Sequence, residues 1–263
     1  MAKLPQAAQI SAAANPATVL SQALRANAAY ADVITRTRYT EDALAAAVGR
    51  GVTQYVIIGA GFDSFAYRKP GWAAGLKVCE IDHPATQKLK IERLMACGVD
   101  ASTSVEFISA DLSAEALGSA LHRSSFQPTR PTFFAWLGVS MYLTQAANVS
   151  ALRAIATCAP AGSELVFNYV DQKVLHPDAA TAEAFRKLKA DASSAGEALL
   201  SGFDPETLGA QLQGAGLLLL EDLNGNQMLD KFDGAGSNGL VPAPDAHIAH
   251  AKVAARALPA LSA

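Results

Sequence analysis

Two glycines and two aspartates have the residue types and the spacing of a nucleotide-binding site. The apolar, β-branched run 54–58 predicts a buried strand, and the run stops at Gly59 and Gly61. Asp82 and Asp111 each follow a later apolar run. Glycines let a backbone approach a ligand because no Cβ intervenes, and in an open α/β sheet ligands bind at the carboxyl ends of the strands. We therefore expect these four residues to surround one nucleotide-like ligand.

The loop at the glycines departs from the dinucleotide-binding fingerprint. That fingerprint has a third glycine or alanine three positions after the second glycine, where this chain has Ser64. Asp63 would lie beside the pyrophosphate, and like charges about 4 Å apart repel by roughly 1 kcal/mol even in water. S-adenosylmethionine offers an adenine and a ribose without any phosphate, and it carries a sulfonium cation. The residues therefore favour S-adenosylmethionine as the cofactor, with a nicotinamide dinucleotide as the alternative.

Each acidic residue has both a binding and a purely structural interpretation. Asp82, at the end of the second run, is placed to accept hydrogen bonds from both ribose hydroxyls, and Asp111, at the end of the third run, can accept one from the adenine amino group. Aspartate is also a favoured helix N-cap, so either residue could simply start a helix. Asp63 is interpreted mainly as a cap or an organiser of the loop. Gly59 and Gly61 could likewise form an ordinary tight turn.

Apolar runs and helix caps alternate along the chain. The pattern predicts strands at 54–58, 76–81, 105–110, 132–137, 164–170, 217–220 and near 247–253. Caps, glycines and prolines predict helices at 16–34, 40–51, 84–98, 144–160 and 204–214. Segment 224–244 is rich in glycine, asparagine and aspartate and is expected to be a mobile loop without chemistry. Alternating strands and helices predict an α/β fold, with a parallel sheet covered by helices on both faces.

Composition narrows the class of function. The chain has 263 residues, a net charge of −3 and 17% charged residues, and the absence of a basic stripe argues against binding to nucleic acid. No apolar run approaches the roughly 20 residues that a membrane span needs, and the N-terminus has no secretory-leader pattern. The three cysteines are far apart and odd in number, as expected in a reducing compartment without disulfides or a metal site. We expect one cytoplasmic domain over residues 1–263, with its oligomeric state open.

Several stretches together resemble one enzyme family. Three of them carry the residues described above (54–68, 80–87 and 110–112), and four others flank these (35–39, 136–144, 164–169 and 200–206). In order and spacing they resemble the leucine carboxyl methyltransferase family, and most closely its bacterial branch of class I S-adenosylmethionine-dependent O-methyltransferases. The resemblance covers roughly residues 20–250. It implies a Rossmann-like class I methyltransferase sheet of seven strands, the last one antiparallel.

The resemblance also implies cofactor contacts. Arg36 would pair with the methionyl carboxylate of the cofactor, and Arg38 is the near alternative. The contacts to the loop, the ribose and the adenine would come from a further set of residues: Gly59, Gly61, Asp82, Asp111 and the backbone at Leu112. One position departs from the family, because eukaryotic relatives carry a glutamate near the cofactor and the acceptor where this chain has Leu137. The identity of the methyl acceptor is therefore open.

The acceptor side of the site rests on fewer residues. Residues 171–203 form an insertion that we expect to close as a lid, because exclusion of water suits methyl transfer; a surface helix is the alternative. Residues 1–50 are expected to form a helical cover. The candidate catalytic residues are Tyr142 and Tyr169, at the ends of the fourth and fifth strands, and His176 in the insertion. Packing roles for the tyrosines and a surface role for the histidine are the alternatives.

The chemistry of a direct SN2 methyl transfer makes few demands on the protein. Alignment of the acceptor, the methyl carbon and the sulfur can lower the activation free energy by about 7–11 kcal/mol. A carboxylic acid of pKa about 4 is already ionised at neutral pH, whereas a phenol near pKa 10 must first lose a proton. Because the sequence contains no evident histidine–carboxylate dyad, a small-molecule carboxylate is the favoured acceptor and a hydroxyl group the alternative. A nicotinamide-dependent oxidoreductase and a non-catalytic cofactor-binding protein remain as other functions.

Overall fold

A computed structural model describes residues 14–100, 105–175 and 199–255 of the chain. His176, most of the predicted lid and the first part of the predicted helical cover lie outside the described residues. Within these ranges the strands are β1 (Gln54–Ile58), β2 (Lys77–Asp82), β3 (Glu106–Ser109), β4 (Thr132–Trp136), β5 (Glu164–Val170), β6 (Leu217–Asn224) and β7 (Ala246–Val253). The helices in the same ranges are α1 (Pro16–Arg25), α2 (Ala28–Gly49), α3 (Pro84–Ala96), α4 (Leu117–His122), α5 (Gln145–Cys158), α6 (Pro205–Gly214) and α7 (Gly225–Asp233).

The strands form one seven-stranded sheet in the order β3-β2-β1-β4-β5-β7-β6. Strands β1 to β5 pair in parallel, whereas β7 runs antiparallel between β5 and β6. This is the Rossmann-like class I methyltransferase sheet expected from the sequence, including the antiparallel last strand. Strands β2 and β3 lie on one side of β1, and β4 and β5 lie on the other side, so the strand order reverses between β1 and β4. Open α/β sheets bind ligands in the crevice at the carboxyl ends of the strands at such a switch point.

Residues of the central strands alternate between two hydrophobic cores. On β5, Leu165, Phe167 and Tyr169 belong to the core beneath α4, α5 and α6, whereas Val166 belongs to the core beneath α2 and α7. Every residue of β5 is buried, as expected for a central strand covered on both faces. Because side chains alternate along a strand, the even-numbered residues of β5 face α2. This alternation decides which side chains can reach a site under that helix.

The N-terminal helices divide at Asn27 and not near Thr40. The side chain of Asn27 caps α2, which is 22 residues long. Thr40 lies inside α2, where its hydroxyl donates to Arg36 O at 2.7 Å. The prediction of separate helices at 16–34 and 40–51 is therefore wrong, because a threonine can satisfy its hydroxyl on the preceding helical turn and then does not act as a cap.

The segment expected to be a mobile loop contains a helix. The Asn224 side chain accepts from Gln227 N–H at 3.1 Å, and the Gln227 side chain accepts from Asn224 N–H at 2.9 Å. This reciprocal capping box starts α7, and Met228 anchors the helix in the core. The prediction for 224–244 is therefore wrong at α7.

Three of the predicted helix starts agree with the structure, whereas α4 was not predicted. Helix α3 begins at Pro84, Thr144 caps α5 and Asp204 caps α6, all as predicted. No helix in the described ranges is both long enough and apolar enough to span a bilayer.

Candidate active site

The loop after β1 packs closely against β2 and against the segment after β4. Gly59 and Gly61 have φ values of +67° and +51°, in the left-handed region that favours glycine. The N–H groups of Gly59 and Ala60 both donate to Ile81 O, at 2.8 and 3.2 Å. A Cβ atom on Gly59 would lie 2.3 Å from Val139 Cγ2. Glycine is thus required at position 59 by the backbone angle and by the packing of Val139.

Asp82, at the carboxyl end of β2, faces the same loop. Its Oδ2 accepts from Gly61 N–H at 2.5 Å, and its Oδ1 accepts from His83 N–H at 2.6 Å. A carboxylate can accept about four hydrogen bonds, so both oxygens keep a lone pair for hydroxyl groups of a ligand. Asp82 therefore holds the loop in shape and places a negative charge at the edge of the sheet.

Two further aspartates flank the crevice. Asp111 follows β3, and its Oδ1 accepts from the N–H and the hydroxyl of Ser113, at 2.9 and 2.6 Å. The bonds from Ser113 hold the pKa of Asp111 below its ordinary value. Asp63 accepts from Phe65 N–H at 2.7 Å, and burial raises its pKa. Asp63 is thus an organiser of the loop, as the sequence indicated, and Leu112 packs beside Asp111 against the core under α4.

Arg36 reaches the segment after β4 from helix α2. Its Nη1 donates to Asp32 Oδ2 at 2.6 Å, and its side chain is 17% exposed. A Cβ atom on Gly138, which has a φ of +73°, would lie 3.0 Å from Arg36 Nη2, so glycine allows the guanidinium to lie against the backbone. Arg38 is 66% exposed and pairs with Asp42 on the surface. Of the two arginines left open by the sequence, the structure brings only Arg36 to the crevice.

A cavity of about 200 Å³ extends from Arg36 and Gly138. Its walls come from α2, the 3₁₀ turn Ser140–Tyr142, the end of β5, Leu199 and the segment before β7. Most of the lining is apolar, and it includes Val33, Met141, Val170 and several alanines. The polar side chains in the lining are Asp32, Arg36, Tyr142, Asn168 and Asp245.

Asn168 is one of the cavity residues that the sequence did not reveal. It lies on β5, is 1% exposed, and its Oδ1 accepts from Gly138 N–H at 2.6 Å. The Ser140 hydroxyl donates to Asn168 O at 2.7 Å. The available signal was a single amide residue inside the apolar part of β5, where a buried polar group is costly unless it is hydrogen-bonded. Asp32 was missed as well, since nothing in the sequence shows which face of α2 is turned inward.

The three residues considered for catalysis have different positions. Tyr142 lines the cavity. Tyr169 lies on the opposite face of β5, where it is fully buried and its hydroxyl donates to Asp222 Oδ2 at 2.7 Å. Its ring stacks on His247, with centroids 4.9 Å apart, and burial, followed by the bond to Asp222, raises its pKa well above the ordinary value. The structure therefore does not bring Tyr169 to the cavity, and His176 lies outside the described residues.

Leu137 is the position at which the resemblance implied a departure from the family. It is half-buried and packs against the core beneath α2. No carboxylate therefore extends from this point of the fourth-strand region, and Asp32 and Asp245 are the carboxylates in the cavity lining instead.

The family model for leucine carboxyl methyltransferase matches residues 4–156, more than half of the chain. The chain belongs to the leucine carboxyl methyltransferase family. Proteins similar to it include a Bacillus subtilis protein named "Putative S-adenosyl-L-methionine-dependent methyltransferase YktD", with 32% identity over 218 residues, 83% of this chain and 71% of the relative. A Mycolicibacterium vanbaalenii protein, named "Putative S-adenosyl-L-methionine-dependent methyltransferase", is 35% identical over 146 residues, 54% of this chain and 47% of the relative. The chain thus spans about half the length of this second relative.

Solved structures share the fold of this leucine carboxyl methyltransferase family member. A DUF574 family protein from Streptomyces avermitilis gives a TM-score of 0.60 at 15% identity, covering 83% of this chain and 82% of that protein. The mitomycin 7-O-methyltransferase MmcR gives a TM-score of 0.51 at 18% identity, covering 80% of this chain and 53% of that protein. At such identities these likenesses establish the class I sheet alone. Membership of the family makes the chain an S-adenosylmethionine-dependent methyltransferase, and the nicotinamide-dependent alternative is not favoured.

Proposed function

We propose that the chain transfers the methyl group of S-adenosylmethionine to an oxygen atom of a small molecule, with a carboxylate as the favoured acceptor. The observation that carries the proposal is the cavity that opens where Arg36 lies against Gly138, at the carboxyl end of β4. The name of the family also refers to a carboxyl acceptor. The lining of the cavity is mainly apolar. Such a lining excludes water, and methyl transfer needs no water molecule.

The cofactor would bind at the carboxyl ends of β1, β2 and β3, beside this cavity. Asp82 would accept from the ribose hydroxyls, and Asp111 with the backbone at Leu112 would hold the adenine. Gly59 and Gly61 would let the loop turn tightly beneath the cofactor, because both have positive φ values and glycine carries no Cβ atom. Arg36 would pair with the methionyl carboxylate, which places the sulfonium, the source of the methyl group, next to the cavity.

The protein's part in the reaction is to bind, orient and exclude water. Asp32 neutralises part of the charge of Arg36 and fixes its position. Tyr142 and Met141 form the wall that would hold an acceptor in line with the methyl group. A carboxylate acceptor is ionised at neutral pH, so no residue has to take a proton from it.

One observation favours a hydroxyl acceptor as the second candidate. Asp245 lines the cavity, and a carboxylate there could accept the proton of a hydroxyl group during transfer. Tyr142 would then orient the hydroxyl group.

We also propose that residues 171–203 cover the cavity. Leu199 lines it, and Leu200 N–H donates to Met141 O at 2.8 Å. Gln172 N–H donates to Phe203 O at 2.9 Å, so the two described ends of this segment are joined to each other. We further propose a reducing, cytoplasmic setting, supported by three cysteines that are all unpaired.

A matched acceptor panel tests the proposed function. The protein would be incubated with methyl-labelled cofactor and pairs of small molecules that share one skeleton but carry either a carboxylic acid or a hydroxyl group. We expect labelled products from the acids, and mild alkali should release the label as methanol because esters hydrolyse. Alkali-stable products from the hydroxyl partners would select the second candidate. Transfer to neither class would reject both.

A further inference from the structure

The orientation of the Asn168 side-chain amide is set by its neighbour. Gly138 N–H donates to Oδ1 at 2.6 Å, and a donor can be satisfied only by the oxygen of the amide, not by its NH₂ group. The Ser140 hydroxyl holds the backbone of the same residue at 2.7 Å. One bond fixes the side-chain oxygen of Asn168 and the other fixes its backbone carbonyl. The position of the remaining donor, Nδ2, is thereby set.

This Nδ2 atom is buried and has no hydrogen-bond partner among the described residues. The residue is 1% exposed and lines the cavity beside Arg36 and Tyr142. Of the buried side-chain atoms that lack a partner in residues 14–100, 105–175 and 199–255, Asn168 Nδ2 alone belongs to a residue of this cavity. Because an unsatisfied buried donor is costly, the arrangement indicates a ligand atom that completes it.

We infer that Asn168 Nδ2 donates a hydrogen bond to the acceptor oxygen that receives the methyl group. The inference rests on the proposed function and narrows its substrate class. An oxygen nucleophile has a second lone pair, so it can accept from Nδ2 while another lone pair attacks the methyl carbon. A neutral amine has one lone pair and cannot do both. The acceptor is therefore an oxygen acid, such as a carboxylate or a phenolate, and not an amine.

The transfer step balances without any change in the asparagine. A lone pair of the acceptor oxygen forms the new oxygen–carbon bond, and the sulfur–carbon bond breaks with its electron pair going to sulfur. Asn168 keeps both of its Nδ2 protons, so its role is to place and select the oxygen. Its loss should therefore raise KM for the acceptor more than it lowers kcat.

The substitution Asn168→Asp tests this role with little change in size. One carboxylate oxygen can still accept from Gly138 N–H, while the donor is replaced by a negative charge that repels an anionic acceptor. We expect kcat/KM for the acceptor to fall by about 10- to 150-fold, the range for losing a hydrogen bond to a charged group. Binding of S-adenosylhomocysteine should stay within about twofold of wild type.

The substitution Asn148→Asp provides the matched control. Asn148 is fully buried, and its Nδ2 donates to Ser140 O at 2.9 Å and to the Ser201 hydroxyl at 2.8 Å, outside the cavity lining. This variant should lower thermal stability without a selective rise in acceptor KM. Equal KM effects in the two variants would reduce Asn168 to a structural role and overturn the inference.

A second measurement does not require turnover. In ¹⁵N-labelled protein saturated with S-adenosylhomocysteine, the side-chain amide signals of Asn168 are assigned by their disappearance in Asn168→Asp. Titration with benzoate, phenols and other oxygen acids should shift these signals, whereas amines of the same skeleton should not.

The outcomes separate the two proposals. Methylated oxygen acids with an unchanged kcat/KM in Asn168→Asp would overturn the role of Asn168 and leave the proposed function intact. Amide signals that move with S-adenosylhomocysteine alone, together with weaker binding of it by the variant, would assign Asn168 to the cofactor and overturn the inference. If no oxygen acid shifts the Asn168 side-chain amide signals, the inference is overturned, whether or not methyl transfer is detected.

Discussion

Arg36 and Arg38 lie two positions apart on α2, but they have different surroundings. Arg36 is largely buried against Gly138, whereas Arg38 lies on the surface beside Asp42. We predict that Arg36→Ala weakens binding of S-adenosylhomocysteine by about 10- to 150-fold, since it removes a hydrogen bond between charged groups. Adenosine, which has no carboxylate, should bind as before. Calorimetry with both ligands checks this, with Arg38→Ala as the control; equal losses for the two ligands would contradict the assignment.

The two crevice aspartates should differ in their effect on affinity. Asp82 accepts bonds from the Gly61 loop, while Asp111 is bonded to Ser113 in a more open position. We predict that Asp82→Ala weakens adenosine and S-adenosylhomocysteine alike by about 10- to 150-fold, because both ligands carry the ribose. Asp111→Ala should have a smaller effect, since water competes for its contact. Fluorescence titrations of the two folded variants measure this, and wild-type affinity in either one would remove that residue from the site.

The position of single residues at the edge of the sheet was predictable, whereas the residues that line the cavity were only partly so. Gly59, Gly61 and Asp82 follow apolar runs whose ends must meet at one sheet edge. On β5, by contrast, every residue is buried, so an apolar pattern does not show which face a side chain takes. Tyr169 and Asn168 are neighbours in sequence but lie on opposite faces, and this alternation separates a packing residue from a cavity residue.

At the scale of structural elements, the loop after β1 and the segment after β4 fit together through one side chain. We predict that Gly61→Ala costs about 1–2 kcal/mol, the price of a left-handed alanine, because its Cβ would meet only Gly59 O, at 4.0 Å. Gly59→Ala should cost about 1–3 kcal/mol more, because its Cβ would overlap Val139. Adding Val139→Ala should recover most of this extra loss. Urea denaturation of the variants measures these differences, and a Val139 change that restores nothing would contradict the packing explanation.

The elements that could not be predicted depend on contacts distant in sequence or on competing cap signals. Thr40 has the residue type of a helix cap, but its hydroxyl bonds to the preceding turn of α2. The polar segment that contains α7 has a loop-like composition, yet the capping box at Asn224 and the burial of Met228 stabilise a helix there. Strand positions, which depend on long apolar runs, agreed more closely with the sequence.

At the scale of the whole molecule, a buried ion pair joins strand β2 of the sheet to helix α3. Lys90 Nζ on α3 donates to Glu80 Oε2 on β2 at 2.5 Å, and the two side chains are 4% and 1% exposed. Burial raises the pKa of Glu80 to about 7, against the lowering effect of Lys90. Glu80 is two residues from Asp82 on the same strand, and the charge of Asp82 adds a small contribution to the raised pKa of Glu80.

The raised pKa of Glu80 predicts that the stability of the fold depends on pH. The pKa of Glu80 in the folded chain lies above its unfolded value of 4.5, so between these pH values the folded state binds more protons than the unfolded state, and stability falls as pH rises. With about 1.4 kcal/mol per pKa unit, the loss from Glu80 between pH 4.5 and 8 is roughly 3 kcal/mol. The double variant Glu80→Gln/Lys90→Met replaces both charges with groups of similar size, and it should lack this part of the slope. Urea denaturation at a series of pH values gives the free energy of unfolding for both proteins. Wild-type and variant curves that run parallel from pH 5 to 8 would show that Glu80 keeps an ordinary pKa in the folded chain, and that the Lys90 ammonium outweighs the cost of burial.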